Sequence, residues 1–320
     1  SVDVLESLTA RFASSAKRAV ELSSSAGKCL SLYACRSLSS QHGDGSQRAG
    51  AAHAAELSAR FSRSVECGVA SGILVTAVLN PWDRALFLSV INRTPFLSLA
   101  NWRNPYQGVG PAVVQRSMSS GLYFPVEDTL TPILGSRMLG GFVAGTLNGA
   151  LLSPLAYIKY QSWGAADYPS FVSTAGRLYR EGGPSVFFRG MTITALRDSV
   201  FGVFFSIRNT IQVDGDHART KHFAISLCAA ALGTTLSSPL NYVRNYCYAE
   251  KTAVPVKSDY WARSLRDLAA ETRRQATGAA RLKYLQMRLR IGWGTLRAAT
   301  GMALMDLAYR TCNAALAASE

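Results

Sequence analysis

The sequence is poor in acidic residues and lacks the motifs of the common enzyme classes. Its 320 residues include 20 Asp and Glu against 34 Lys and Arg, which gives a net charge of +14. The six cysteines form no C-x-x-C pair and have no histidine at metal-binding spacing, so neither a zinc site nor a disulfide framework is predicted. No nucleophile triad, Walker loop or dinucleotide fingerprint is present. We therefore predict that the protein is not an enzyme and has no catalytic residue, metal site or cofactor.

Long apolar runs free of Gly, Ser and Thr are also absent. Even so, 48% of the residues are hydrophobic and only 17% are charged, with a mean hydropathy of +0.09. Five nearly uncharged segments cover residues 67–79, 138–155, 195–207, 223–236 and 292–307. With its flanks, each reaches the roughly 20 residues that a membrane-spanning helix needs. Their small and polar residues favour helices that pack closely and line a polar space.

The basic residues are concentrated near the C-terminal end, where residues 244–290 contain 11 Lys and Arg against 4 Asp and Glu. Nucleic-acid binding is one use of such charge, but the aromatic interleaving of a single-strand binder is missing. A basic surface beside spanning helices is better matched to anionic lipid headgroups. We predict lipid partners and no nucleic acid.

The chain contains a threefold internal repeat. Pro81, Pro154 and Pro239 are separated by 73 and 85 residues and open the similar elements PWDRAL, PLAYIK and PLNYVR. Small residues precede each proline by nine and thirteen positions: Gly72 and Gly68, Gly145 and Gly141, Ala230 and Ser226. The repeats predict three proline-kinked helices, each followed by a loop and a second helix.

Four segments follow from this pattern: an N-terminal extension at residues 1–62 and repeats at 63–134, 135–214 and 215–320. The extension is rich in Ser and Ala and has an amphipathic stretch at 5–22, which is typical of either a targeting segment or a docking arm. In the second repeat we predict helices at 137–160 and 191–210, with an amphipathic turn around 171–180. The first loop is too short for such a surface element, whereas the third has room for a helix at about 260–275.

The repeats resemble the mitochondrial carrier family over residues 64–318. The second repeat carries the most matches: Gly141, Gly145, Ser153-Pro154, Lys159, Glu181-Gly182, Phe188-Arg189-Gly190 and Arg197-Asp198. The resemblance implies an all-α membrane protein with six transmembrane helices, arranged as three two-helix repeats with threefold pseudosymmetry. It also implies the mitochondrial inner membrane, with both termini toward the intermembrane space.

The resemblance implies a matrix gate of three ion pairs between repeats, and only part of it is present. Asp83 and Lys159 form the surviving pair. Arg244 faces Ala156 in place of an acid, and Asn241 faces Leu86 in place of a base. We expect Ala156 and Leu86 to be packed in apolar surroundings.

The family's second gate, on the cytosolic side, is not preserved in any repeat. The corresponding residues include Glu127, Asp128, Arg208 and Arg310. A rearranged contact between these acids and bases is an alternative gate.

The substrate site implied by the resemblance lies midway along the even-numbered helices. Arg197 with Asp198 matches carriers of amino acids, in which a base meets the carboxylate and an acid the amine. Gln115 and Arg116 correspond in the first repeat. The third repeat offers either Gly301 or, in a shifted register, Arg297. The alternative is that Arg197 and Asp198 are a water-exposed remnant.

Bound cardiolipin is also implied by the resemblance. In the family, glycines before even-numbered helices and at surface-helix termini hold this lipid through backbone N–H groups. The corresponding residues are Gly108, Gly182, Gly190 and the neighbouring Arg189.

Two functions are compatible with the sequence. The degenerate gates favour a transport-impaired accessory subunit of a larger inner-membrane assembly, respiratory or ATP-synthesising, with protein subunits as partners. The alternative is an active solute carrier for an amino acid or carboxylate, working by alternating access.

Overall fold

The computed structural model describes residues 44–92, 94–163, 170–213, 217–249 and 259–318, and the side chains of all of them except 44–59, 90–91 and 249. The predicted amphipathic stretch at 5–22 lies outside the described residues. Within those ranges the chain is helical and contains no β-strand. The all-α prediction is therefore confirmed.

Eleven α-helices make up the described part of the chain. They are α1 (Asp44–Ile91), α2 (Val109–Leu134), α3 (Arg137–Leu151), α4 (Ser153–Trp163), α5 (Phe171–Gly182), α6 (Met191–Ser206), α7 (Ala218–Leu236), α8 (Ser238–Ala249), α9 (Tyr260–Arg273), α10 (Gly278–Arg288) and α11 (Trp293–Ala317). Short 3₁₀ turns occupy Leu99–Trp102, Pro184–Phe188 and Ile207–Asn209. α1 begins at Asp44, inside the segment that the sequence assigns to the N-terminal extension.

Six of the helices form a closed ring. α1 packs on α2, α2 on α3, α3 on α6, α6 on α7 and α7 on α11, which returns to α1. The order around the ring is the order along the chain, as expected when each helix packs against the next one made. The centre of this ring holds the candidate site.

The repeat prolines bend two of the three helices that carry them. α3 and α4 meet at 56° beside Pro154, and α7 and α8 meet at 60° beside Pro239. Proline has no N–H to donate and its ring clashes with the carbonyl four residues earlier, so a bend at these positions is expected. Pro81 lies inside the continuous helix α1.

The small residues before the prolines allow close backbone contact between neighbouring helices. A Cβ atom at Gly68 would lie 2.6 Å from the carbonyl oxygen of Ser120 on α2. A Cβ atom at Gly149 would lie 2.7 Å from the Cα atom of Ala195 on α6. Only glycine lets these backbones approach so far, which confirms the predicted close packing.

By length and apolar composition, one described helical segment could cross a membrane alone, namely Arg60–Ser89. Two bent pairs pass the same test together: Arg137–Leu151 with Ser153–Trp163, and Ala218–Leu236 with Ser238–Tyr248. All three contain a repeat proline.

The loops agree with the sequence except at one helix. α5 and α9 lie where surface helices are predicted, and the described residues of the first loop contain only a short 3₁₀ turn. α10 was not predicted, and none of its residues is buried.

Candidate functional site

A cavity of about 190 Å³ lies inside the helix ring. All nine residues that the sequence assigns to the substrate site or the matrix gate line it: Asp83, Gln115, Arg116, Lys159, Arg197, Asp198, Asn241, Arg244 and Arg297. They come from α1, α2, α4, α6, α8 and α11, so all three repeats contribute. The structure thus brings together residues more than 200 positions apart in the chain.

The ion pair predicted between Asp83 and Lys159 is not formed. Asp83 instead pairs with Arg297 of α11. The Lys159 Nζ atom donates to the Gln115 Oε1 atom at 2.8 Å. The prediction was wrong because α11 lies beside α1 in the ring, which brings the long Arg297 side chain within reach of Asp83.

The expectation that Leu86 and Ala156 pack in apolar surroundings holds only in part. Both are buried, at 8% and 6% exposure, and Ala156 packs in an apolar cluster with Tyr157 and Leu178, but both also line the polar cavity. Arg244 has no acidic partner among the described residues, and it donates to the Asn241 Oδ1 atom at 2.7 Å and to the Tyr160 hydroxyl at 2.9 Å. The end of the cavity near the prolines therefore lacks inter-repeat ion pairs in the described part of the chain, apart from the contact of Asp83 with Arg297.

Arg197 and Asp198 interact with each other rather than with separate groups. The Arg197 guanidinium pairs with the Asp198 carboxylate, and both line the cavity. The guanidinium also lies 5.8 Å from the centre of the Phe201 ring, in the range of a cation–π contact. The charge of Asp198 is thus balanced by its neighbour, although the contact uses only the Oδ1 atom of the carboxylate.

A buried charge cluster closes the opposite end of the cavity, and we call it the Arg208 cluster. Arg208 donates to the Glu127 carboxylate at 2.8 and 3.3 Å and to the Asp306 Oδ1 atom at 3.1 Å. Arg310 donates to the Asp306 Oδ2 atom at 3.1 Å. Arg208, Glu127 and Asp306 are all at most 2% exposed. The rearranged contact between Glu127 and Arg208, one of the alternatives from the sequence, is thus present.

Uncharged partners complete the Arg208 cluster. Ser226 donates to the Asp306 Oδ2 atom at 2.7 Å, and Asn209 donates to the Glu127 Oε1 atom at 3.2 Å. Nearby, the Tyr309 hydroxyl donates to the Asp128 carboxylate at 2.7 Å. Buried carboxylates need this full set of donors, because an unpaired buried charge is strongly destabilising.

The cluster lies directly beyond the cavity wall. Tyr123 and Met305 line the cavity, and Glu127 and Asp306 follow them on α2 and α11. Asp306 was missed in the sequence because the expected acid position beside Tyr309 is occupied by Arg310. An acid three residues before Tyr309 was the available signal.

Cys67 of α1 and Cys312 of α11 form a disulfide, with Cα atoms 5.5 Å apart. The prediction that the cysteines form no disulfide is wrong for this pair. The two residues are 245 positions apart, and only closure of the ring brings them together. The bond joins the first and last helices of the ring near the Arg208 cluster.

The predicted lipid-binding residues lie outside the cavity lining. Gly108 and Gly190 have φ values of 70° and 71° and begin α2 and α6. A Cβ atom at Gly108 would press on the Trp163 ring, and one at Gly190 on Tyr248. A left-handed glycine therefore precedes both α2 and α6 and packs against an aromatic residue near the end of α4 or α8.

The two remaining predicted lipid-binding residues, Gly182 and Arg189, lie at the end of α5 and just before α6. Gly182 ends α5, and Arg189 is 9% exposed and follows the 3₁₀ turn Pro184–Phe188. Within the described ranges, no group of three or more His, Cys, Asp or Glu side chains could hold a metal ion.

The geometry defines a class of protein: a helix ring with internal repeats, a polar central cavity and a buried charged closure at one end. A family model described as mitochondrial carrier protein matches residues 132–213. The mitochondrial glycine transporter of Mus musculus is 24% identical over 182 residues, which cover 51% of this chain and 54% of the transporter.

Two further relatives agree with this match. The glycine transporter of Pyricularia oryzae is 26% identical over 180 residues, covering 42% of this chain and 54% of the relative. The mitochondrial nicotinamide adenine dinucleotide transporter of Mus musculus is 26% identical over 203 residues, covering 56% and 68%. The chain spans about half the length of the glycine transporters that it matches. Together these matches support membership of the mitochondrial carrier family, at low sequence identity, and confirm the resemblance drawn from the repeats.

Proposed function

We propose that this chain is a solute carrier of the mitochondrial inner membrane that works by alternating access. The observation that carries the proposal is the central cavity, on which the nine gate and substrate residues expected from the sequence converge. The related proteins are transporters by name, which favours the carrier function over the accessory subunit. The inner-membrane location rests on the same relatives.

The proposal assigns six membrane spans to the ring. They are α1, α2, α3 with α4, α6, α7 with α8, and α11. An even number of spans leaves both termini on one side, which we assign to the intermembrane space. The pairs with bends near 60° then converge toward the matrix at their proline ends.

The Arg208 cluster supplies a closure that the degenerate motifs of the sequence do not predict. In this conformation the cluster closes one end, while Asp83 and Lys159 at the other end are unpaired with each other. We assign this arrangement to a state that faces the matrix. Transport then requires the Arg208 cluster to open while the opposite end closes around the proline elements.

Cardiolipin is the proposed lipid partner, held near Gly108, Gly182, Arg189 and Gly190. Support comes from the N-termini of α2 and α6, which begin after left-handed glycines and have no side-chain cap. Helix N-termini attract phosphate through these groups and the helix dipole.

One observation favours the accessory-subunit alternative, with protein subunits as partners. α10 has no buried residue and is an addition that the second repeat lacks. Native mass spectrometry after mild solubilisation tests it. Stable recovery of the chain with a respiratory or ATP-synthesising complex would favour the subunit, and recovery alone would favour the carrier.

Exchange in cardiolipin-containing liposomes tests the carrier function directly. Purified protein should exchange labelled solute against internal solute from a panel of amino acids, carboxylates and nucleotides. Arg197→Ala should abolish the exchange, whereas Arg219→Ala, at an exposed position on α7, should leave it unchanged. Absence of exchange for every solute with folded protein, or equal exchange by both variants, would contradict transport through this cavity.

A further inference from the structure

The charges that line the cavity are unbalanced. Two are acids, Asp83 and Asp198. Six are bases: Arg116, Lys159, Arg197, Arg244, Arg290 and Arg297. The wall therefore carries four more positive than negative charges, since six minus two is four.

Both acids are already neutralised by neighbours. Asp83 pairs with Arg297, and Asp198 pairs with Arg197. Each pair uses one carboxylate oxygen, so a ligand amine that contacts the second oxygen meets an acid whose charge is already balanced. An amino acid as substrate, the expectation raised by Arg197 and Asp198 in the sequence, is thus poorly served by the cavity.

Three of the four remaining bases have uncharged hydrogen-bond partners. Lys159 donates to the Gln115 amide, and Arg244 donates to Tyr160 and Asn241. Arg290 also interacts with the Tyr160 hydroxyl. In the described part of the chain, none of these bases lies within 4.0 Å of a carboxylate oxygen.

Arg116 is the fourth of these bases and makes no ion pair with a described residue. It lies close enough to Arg297, Asp83 and Arg197 for direct electrostatic interaction. Lys159 is similarly close to Arg116, Asp83 and Arg244, so Asp83 offsets part of the repulsion between the bases. These like charges repel one another in a partly enclosed space, where the dielectric screening is weaker than in water.

We propose that the cavity binds an organic anion carrying at least two negative charges, through Arg116, Lys159, Arg244 and Arg290. Carboxylates and phosphates share the required chemistry, because a guanidinium group can bind either with two parallel hydrogen bonds. This inference rests on the proposed carrier function only because it takes the cavity to be the substrate site. What it adds is the charge class of the substrate.

Equilibrium binding to the detergent-purified protein tests this charge class without any transport step. Succinate, ADP and glycine serve as the dicarboxylate, phosphate and zwitterion probes, each titrated calorimetrically at one fixed ionic strength. Succinate or ADP should bind and glycine should not. The ranking of succinate against ADP identifies carboxylate or phosphate as the preferred group.

Two variants test whether the bases without a carboxylate partner bind the anion. Arg116→Gln and Arg290→Gln should each weaken binding of the preferred anion roughly 10- to 100-fold, the usual effect of losing a hydrogen bond to a charged group. Arg219→Gln removes the same charge at an exposed position outside the cavity and should leave the affinity unchanged. Equal effects of all three variants would overturn the site.

Thermal unfolding without ligand separates a binding role from a structural one. If Arg116 is held in place against repulsion, Arg116→Gln should melt at the same temperature as the parent protein or higher. A lower melting temperature together with unchanged anion affinity would identify Arg116 as structural and overturn its role.

The outcomes separate this inference from the proposed function. Anion binding without exchange in liposomes would support the charge class and refute the carrier. Binding and exchange of glycine in preference to both anions would refute the charge class and support the carrier.

Discussion

The stability of Arg208 variants tests whether the Arg208 cluster is a buried charged closure at one end of the cavity. Replacing Arg208 with Met leaves Glu127 and Asp306 buried without their shared cation, while the side-chain volume stays similar. The Arg208 and Glu127 side chains are 3% and 1% exposed, so water cannot readily compensate. Removing one partner of a buried ion pair costs about 3–5 kcal/mol. At roughly 2–4 °C per kcal/mol, Arg208→Met should lower the melting temperature by about 10 °C.

The assay is thermal unfolding of detergent-purified protein followed by intrinsic tryptophan fluorescence. A triple variant, Arg208→Met with Glu127→Gln and Asp306→Asn, removes the buried charges together and keeps the side-chain shapes. It should regain most of the lost stability, because the penalty comes from uncompensated charge.

A surface ion pair provides the matched control. Arg177 lies 4.0 Å from Glu181 on α5, and both side chains are about half exposed. Arg177→Gln should change the stability by less than about 1 kcal/mol, as is usual for exposed pairs. If Arg208→Met is as harmless as this control, or if the triple variant is no more stable than the single one, the cluster is not a buried charged closure.

Two further predictions concern helix packing and the cavity charge. Gly149→Ala should destabilise the protein by about 1–3 kcal/mol, because its Cβ atom would press on Ala195 at 2.7 Å. Gly176→Ala has no atom within 4 Å and should stabilise α5 by about 0.5–1 kcal/mol, and thermal unfolding measures both. Asn241→Asp places a carboxylate beside Arg244, whose Nη2 atom is 2.7 Å from the present amide oxygen. It should weaken anion binding about tenfold in calorimetry, because it neutralises one of the four uncompensated bases.

The exposed Asn92 supplies the control for the added charge. Asn92→Asp changes the net charge by the same amount outside the cavity and should leave anion affinity unaltered. An Asn241→Asp variant that binds the anion as tightly as the parent protein would contradict a binding role for Arg244. For the glycines, equal destabilisation by Gly149→Ala and Gly176→Ala would contradict the packing argument.

The backbone of this fold was largely predictable from the sequence, whereas its charge contacts were not. Pro154 and Pro239 locate the bends, and the small residues before them locate the close helix contacts. These features act locally: proline removes a hydrogen bond wherever it lies, and only glycine admits a backbone at van der Waals distance. α10 could not be predicted in this way. None of its residues is buried, so its sequence carries no pattern of residues that pack against a neighbouring helix.

The charge contacts depend on neighbours that are distant in the chain. Asp83 was expected to meet Lys159, yet Arg297, 214 residues away, takes its carboxylate. Asp306 is recognisable as a buried acid only once Arg208, 98 residues away, lies beside it. A long side chain can reach several partners. Its position in a motif therefore limits the possible ion pairs but does not determine which one forms.

The lost acids of the matrix gate and the charge excess of the cavity have one explanation under the proposed function. Ala156 stands where the family's pattern has the acid that would face Arg244, and Lys159 has no anionic partner because Asp83 pairs with Arg297. Closing the proline end of the ring without substrate would bring these bases together and raise their repulsion. A bound anion would supply the missing negative charge between them. The substrate would then favour the closed proline end through its own charge, and the equilibrium would shift by the difference in its affinity for the two states. Gate positions that look degenerate in the sequence are therefore compatible with transport, provided that the transported solute is the anion that completes them.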